Sequence, residues 1–345
     1  MDSAKQTKRV TIKEVAQHAG VSMAAVSKVL RNAYGTSPAM TEKVKASMAA
    51  LGYRPSSAAR GMRGRTYTIG VLLDNLRNSF FADILDGVHE ELLDTDYTVL
   101  IGAAGFDAAG QAHTIEAMVD RRMDGLILIA PGTSRSEVLG FAAVTPTVVI
   151  GHHDAAEVHD SVLDADDMGA AMVVDHLVSL GHRRIALFSS PGTKSSQWRK
   201  TPEIVLTNGY LEAMQRHGLE DLATVVRAPY SDDGGYKAGL DLLSASHRPT
   251  AIMTGADIAA MGVFRAADEL GLRVPEDLSL AGYNNTALAA LTSVQLTSVD
   301  QAGRTMGSAA ARMLIERVEG RRTRAMQTTM TPSLVVRRST AAPAS

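Results

Sequence analysis

The apolar positions of the chain change period partway along. From Val10 to Leu51 they recur every three or four residues: Ile12, Val15, Ala16 and Ala19, then Val26, Val29 and Leu30, then Val44, Met48 and Leu51. That spacing predicts three short amphipathic helices. Thr11-Ile12-Lys13-Glu14 reads as a capping box that opens the first helix at Ile12. Gly20 breaks it and suits a tight turn. Ser22 caps a second helix over 23–31, and Ser37-Pro38 opens a third that Gly52 ends. From Tyr67 onward, short apolar runs replace the helical stripe: "YTIGVLL", "YTVLIGA", "GLILIA", "TVVIG", "RIALFSS", "TVVRAP", "TAIMTG" and "LSLAGY". Helical patterns lie between most of them, at 80–93, 109–122, 168–180, 205–217, 234–244 and 258–270. Such alternation predicts parallel, doubly wound α/β sheets. The pattern restarts after about residue 165, so two similar lobes around a cleft are expected. Ligands of such sheets sit beyond the carboxyl ends of the strands.

Composition narrows the function. The 345 residues are 45% hydrophobic and 21% charged, a globular balance with room for two or three domains. No apolar run reaches the roughly 18 residues that cross a bilayer. The first residues, "MDSAKQTKRV", have no apolar core behind their charges, so no secretory signal is read. There is no cysteine, which excludes disulfides, thiolate zinc sites and cysteine nucleophiles. The expectation is a soluble cytoplasmic protein with no membrane partner.

The net charge of -2 is unevenly placed. Residues 1–65 hold twelve Lys or Arg and three Asp or Glu, about +9, against 23 basic and 34 acidic residues in the remainder, about -11. A basic head on an acidic body points to a polyanion-binding module joined to something that does not bind polyanions. A helix-turn-helix with a Gly-containing turn is a DNA-binding unit. No phosphate-binding glycine motif follows a strand, so no nucleotide cofactor is expected. "HHDAAEVHD" (152–160) has no second cluster at ligand spacing, so no metal is expected either. No nucleophile elbow stands out, which reads against an enzyme.

The residues Ile12, Glu14-Val15-Ala16, Ala19-Gly20-Val21-Ser22, Val26-Ser27 and Val29-Leu30 closely resemble the headpiece of the LacI/GalR family of bacterial transcriptional regulators. The body resembles that family's effector domain, which is similar to periplasmic sugar-binding proteins. This second resemblance rests on "NSFFADIL", "HLVSLGHRRIA", "VPEDLSLAGYN", "LTSVDQ" and "LVVRRST". The resemblance implies a headpiece over 1–55, a hinge helix over 56–66, and an effector and dimerisation domain over 67–340. Its two lobes would be 67–164 with 299–325, and 165–298 with 326–340. It implies a homodimeric, sequence-specific regulator, a repressor in the main reading, that binds a pseudo-palindromic double-stranded DNA operator and is modulated by a small-molecule, sugar-like effector. It also makes Met23, Ala24 and Lys28 the base-reading positions. Lys28 can donate to guanine, while Met23 and Ala24 can touch a thymine methyl. Thr11, Ser22, Ser27 and Arg31 are placed for phosphates. Ala59 and Met62 fall in the hinge, where Met62 stands at the usual Leu position as a minor-groove wedge.

The family's effector positions map onto Asn78, Phe80, Phe81, His152, Asp166, Tyr230, Asp257 and Asn284. Leu206 stands where an Arg is expected, Ala256 where an Asn is expected, and Asn284 where an Asp is expected. Those changes strip polar partners from the cleft. The loop "GTKSSQWRKTPE" (192–203) offers Trp198, Arg199 and Lys200 as compensation. The alternative is a ligand-independent DNA binder whose pocket has lost its function.

Overall fold

The computed structural model describes residues 10–30, 36–53, 64–192 and 197–344. The chain divides into two compact units, Met1–Thr66 and Tyr67–Ser345. The first holds α1 (Ile12–Ala19), α2 (Met23–Leu30) and α3 (Pro38–Leu51). Thr11 and Glu14 complete the capping box of α1, and Gly20 ends it in the left-handed conformation. Val15, Ala16, Ala19, Val26 and Val44 form a small core.

The second unit runs β1 (Thr68–Leu73), α4 (Phe80–Leu92), β2 (Thr98–Ala103), α5 (Ala108–Asp120), β3 (Gly125–Ile129), α6 (Arg135–Val144), β4 (Thr147–Ile150) and β5 (Asp160–Asp164). It continues with α7 (Asp166–Ser179), β6 (Ile185–Ser189), α8 (Pro202–Arg216), β7 (Thr224–Arg227), α9 (Asp232–Leu243), β8 (Ala251–Thr254), α10 (Asp257–Glu269) and β9 (Ser279–Tyr283). Last come β10 (Thr297–Asp300), α11 (Gly303–Val318), β11 (Gln327–Met330) and β12 (Ser333–Val335). The first sheet has the order β11-β5-β4-β3-β1-β2 and is parallel throughout. The second has the order β12-β10-β9-β8-β6-β7, with only β12 antiparallel. Both sheets are covered by helices, which is why their strands read as continuous apolar runs. In β1, Ile69, Val71 and Leu73 pack in one cluster with α4 and α11, while Leu72 packs in the cluster on the opposite face with α5.

The chain passes between the sheets three times: after β5, after β10 and after β11. The last crossing differs from the expected one. Residues 327–330 pair with β5 in the first sheet, so the lobe boundary near 326 is wrong by one strand. Buried Asp160 fixes this arrangement: its carboxylate accepts from Arg322 Nη2 at 2.7 Å and from the Met326 backbone N–H at 2.8 Å, tying the start of β11 to β5.

Candidate functional site

In the first unit, Met23, Ala24 and Lys28 lie exposed along α2, with Met23 52% exposed. Apolar Met23 stays outside the small core of its own unit, and the three side chains form a surface that a groove of DNA can meet. Thr11 and Ser22 are also exposed. Each oxygen also accepts a backbone N–H near its helix start, from Glu14 and Ala25 respectively. Ser27 departs from expectation. It is 8% exposed, packed inside the three-helix unit rather than lying open on the surface. Arg31, Ala59 and Met62 lie outside the described residues.

In the second unit a cavity of about 340 Å³ opens between the two sheets. Its lining comes largely from the residues that end strands: Asp74 after β1, Ala130 after β3, Gly151 after β4 and Asp164 at the end of β5. The second sheet adds Ser190 after β6, Tyr230 after β7, Gly255 after β8 and Asn284 after β9. This is where doubly wound sheets bind ligands. Gly255 is needed there, since a Cβ would fall 2.0 Å from Tyr230 Oη.

A hydrogen-bonded relay crosses the back of the cavity. Asn284 Nδ2 donates to Gln301 Oε1 at 2.5 Å, and Gln301 Nε2 donates to Asp164 Oδ2 at 2.7 Å. Asn284 and Asp164 belong to opposite sheets, and Gln301 sits on the crossing between them. His153 Nε2 lies 2.8 Å from Asp166 Oδ2. Burial pushes the Asp164 and Asp166 carboxyls up, and the Asp166 charge raises Asp164 further. Burial also raises Asp74 to about 7, against a hydrogen bond from Gln111 that lowers it.

The sequence model described as "Bacterial regulatory proteins, lacI family" matches residues 11–56, and that of a "Periplasmic binding protein-like domain" matches residues 174–340. The chain is 33% identical over 337 residues to the HTH-type transcriptional repressor PurR of Klebsiella pneumoniae (strain 342), covering 96% of this chain and 97% of that one. The chain belongs to the LacI family. Among solved structures it is similar to the lac repressor dimer bound to operator and the anti-inducer ONPF, with 26% identity, a TM-score of 0.80, and coverage of 97% of this chain and 100% of that one. It is also similar to the complex of the transcriptional regulator CelR with cellobiose, at 26% identity and a TM-score of 0.68, covering 96% and 100%. As a LacI-family member it is a DNA-binding transcriptional regulator with an effector-binding type of body, and not an enzyme. Among the described residues, no helix is long and apolar enough to cross a membrane.

Within this LacI-family body, Asn78, Phe80, Phe81, Asp166, Leu206, Tyr230 and Asn284 line the cavity. His152, Trp198 and Asp257 do not. Asp257 is fully buried beneath it, accepting from the Thr286 backbone N–H at 2.7 Å and from Ser298 Oγ at 2.6 Å. Its role is to tie the start of α10 to the loop after β9. Trp198 corrects the expectation of a ligand-stacking aromatic. Although its loop connects two elements of the second lobe, its ring is 5% exposed among Leu72, Ile115, Met118 and Val149 of the first. It stacks on His152 with centroids 4.2 Å apart and donates from Nε1 to the Thr133 carbonyl at 2.9 Å. The Arg199 and Lys200 backbone N–H groups donate to Asp154 Oδ2, both at 3.1 Å. Residues 198–200 are therefore a fourth tie between the lobes. Burial in that contact holds His152 down to about 4, so it is neutral.

Sequence reasoning missed Asp74, Gln111, Asp164, Glu203 and Gln301, all of which line the cavity. Asp74 and Asp164 had a signal, since each directly follows an apolar run in a strand-ending position. β5, "DSVLD", went unread because an Asp stands at each end and only Val162 and Leu163 between them are apolar. α6 went unread although Ser134 and Glu137 form a capping box.

Proposed function

We propose that the protein is a repressor that grips a pseudo-palindromic operator as a homodimer, with an effector in the interlobe cavity adjusting the grip. The single observation that carries this reading is the cavity at the strand ends, bounded by both lobes and crossed by the Asp164–Gln301–Asn284 relay, in a chain of this family. A ligand there contacts both lobes at once. It therefore has a different affinity for different lobe orientations, which is what thermodynamic coupling requires; about 1–3 kcal/mol suffices. The lac repressor dimer bound to operator and the CelR–cellobiose complex support the partner classes. The half-exposed Leu100 and Ile101 on the edge strand β2 support a second copy covering that edge. In the headpiece, Met23, Ala24 and Lys28 read bases, and Met62 wedges the operator centre.

Selection of duplexes from random DNA by the full-length protein at fixed moderate salt tests the reading. The expected outcome is a two-fold symmetric consensus whose retention changes when an effector stabilises the protein. Retention of all duplexes alike would overturn sequence-specific regulation. A symmetric consensus that no stabilising small molecule alters would leave a ligand-independent binder.

A further inference from the structure

The titratable lining of the cavity is one-sided. Asp74, Asp164, Asp166 and Glu203 line it, and among the described residues no lysine, arginine or histidine does. His153 stands beside Asp166, and burial holds its imidazole below the usual range. The unsatisfied polar group there also favours a donor. Asn284 lines the cavity and is 8% exposed; its Nδ2 is engaged by Gln301, and its buried Oδ1 has no hydrogen-bond partner. A buried acceptor left unpaired is costly, and a ligand donor that reaches it recovers part of that cost. The apolar part of the lining includes three phenylalanines, Phe80, Phe81 and Phe106, with Phe106 55% exposed. Aromatic faces attract cations.

Resting on the reading of this cavity as the effector site, we propose that the effector is a small primary-amine cation, an amino sugar or an aliphatic diamine. An ammonium group offers three donors and no acceptor, which matches a wall of carboxylates and an orphaned amide oxygen. An anionic ligand, such as a sugar phosphate, meets four acids and no cation. A neutral polyol brings no charge that would draw the buried carboxyls back to their ionised forms. An amine near Asp74 and Asp166 instead favours their ionised forms, which burial alone disfavours.

Thermal-shift and calorimetric titration of the full-length protein with matched probes tests this. The probes are D-glucosamine against D-glucose and D-glucose 6-phosphate, and putrescine against 1,4-butanediol. At least one amine is expected to raise the melting temperature by several degrees at saturation and its neutral counterpart to leave it unchanged; which amine does so separates the amino sugar from the diamine. Glu203→Gln is expected to weaken that amine about tenfold. Glu203 has a partly exposed side chain at the start of α8, so folding does not depend on its charge. Stabilisation by glucose or butanediol equal to that by the amine overturns the amine assignment while leaving the cavity as an effector site. Stabilisation by the phosphate, or by no amine, also overturns it. Should a wider panel of neutral sugars and nucleobases also fail to bind, the effector-site reading falls with it.

Discussion

Asn284 occupies a backbone position at φ +106°, in the left-handed region that Asn tolerates better than most residues. Its amide is chosen as much for what it gives as for what it accepts. Nδ2 donates to Gln301 Oε1, and only that orientation leaves Gln301 Nε2 free to donate to Asp164. An Asp here would set a carboxylate oxygen against an amide oxygen and add one more acid to a wall that already has several. Asn284→Asp is expected to cost about 1–3 kcal/mol of stability by urea denaturation at neutral pH. At the other site, Lys28 is the one strong donor on the exposed face of α2. Lys28→Ala is expected to lose about 1–3 kcal/mol of preference for guanine at one position in each half-site, measured by titrating the variant against operators changed at that base pair. These two residues also show what local reading can and cannot reach. Lys28 was legible because helical phase alone puts it on a free face. Asn284 was read as a lost acid, because its value lies in Gln301 seventeen residues on and Asp164 in the other lobe.

At the scale of elements, the contacts between helices and the order of the strands were both hidden. α4 and α11 touch backbone to backbone: a Cβ at Gly307 would lie 1.9 Å from the Ile84 carbonyl oxygen, and one at Gly87 1.9 Å from that of Arg304. Gly307→Ala therefore has to push two helices apart, and is expected to cost about 1–3 kcal/mol or more, read as a lowered Tm of the effector domain. Strands β1–β4 and β6–β9 announced themselves as apolar runs, whereas β5, β10, β11 and β12 did not; capped helices with strong stripes announced themselves as well. α11 did not, because its first turns face α4 with glycine and alanine rather than large apolar residues. Trp198 was misplaced for a different reason. Its segment belongs to the second lobe in chain order, and nothing nearby signals that the ring crosses into the core of the first.

Across the whole molecule, buried acids and buried histidines set opposite pH dependences. Burial raises Asp74 to about 7 and Asp257 to about 6 from an ordinary 3.8. The folded chain holds those protons after the unfolded chain has released them. Their stabilisation is complete below the ordinary carboxylate value and is lost as pH rises through the raised ones. His152, held down to about 4 from 6.5, works the other way: its contribution is complete above 6.5 and lost as pH falls through 4. The two oppose each other below pH 6.5, and above it only the carboxyls remain. Tm is expected to fall from pH 6.5 to about 8 in calorimetric scans without ligand, and to fall less in Asp74→Asn.

Trp198 is the chain's sole tryptophan, and it is wedged where the two lobes meet. Its emission is therefore a native gauge of their separation, with no dye to attach. A compound that prises the lobes apart wets the indole and moves its fluorescence to longer wavelength, whereas one that clamps them shut keeps the spectrum blue. Intrinsic fluorescence recorded during an effector titration thus reports which way the body moves before any DNA is added.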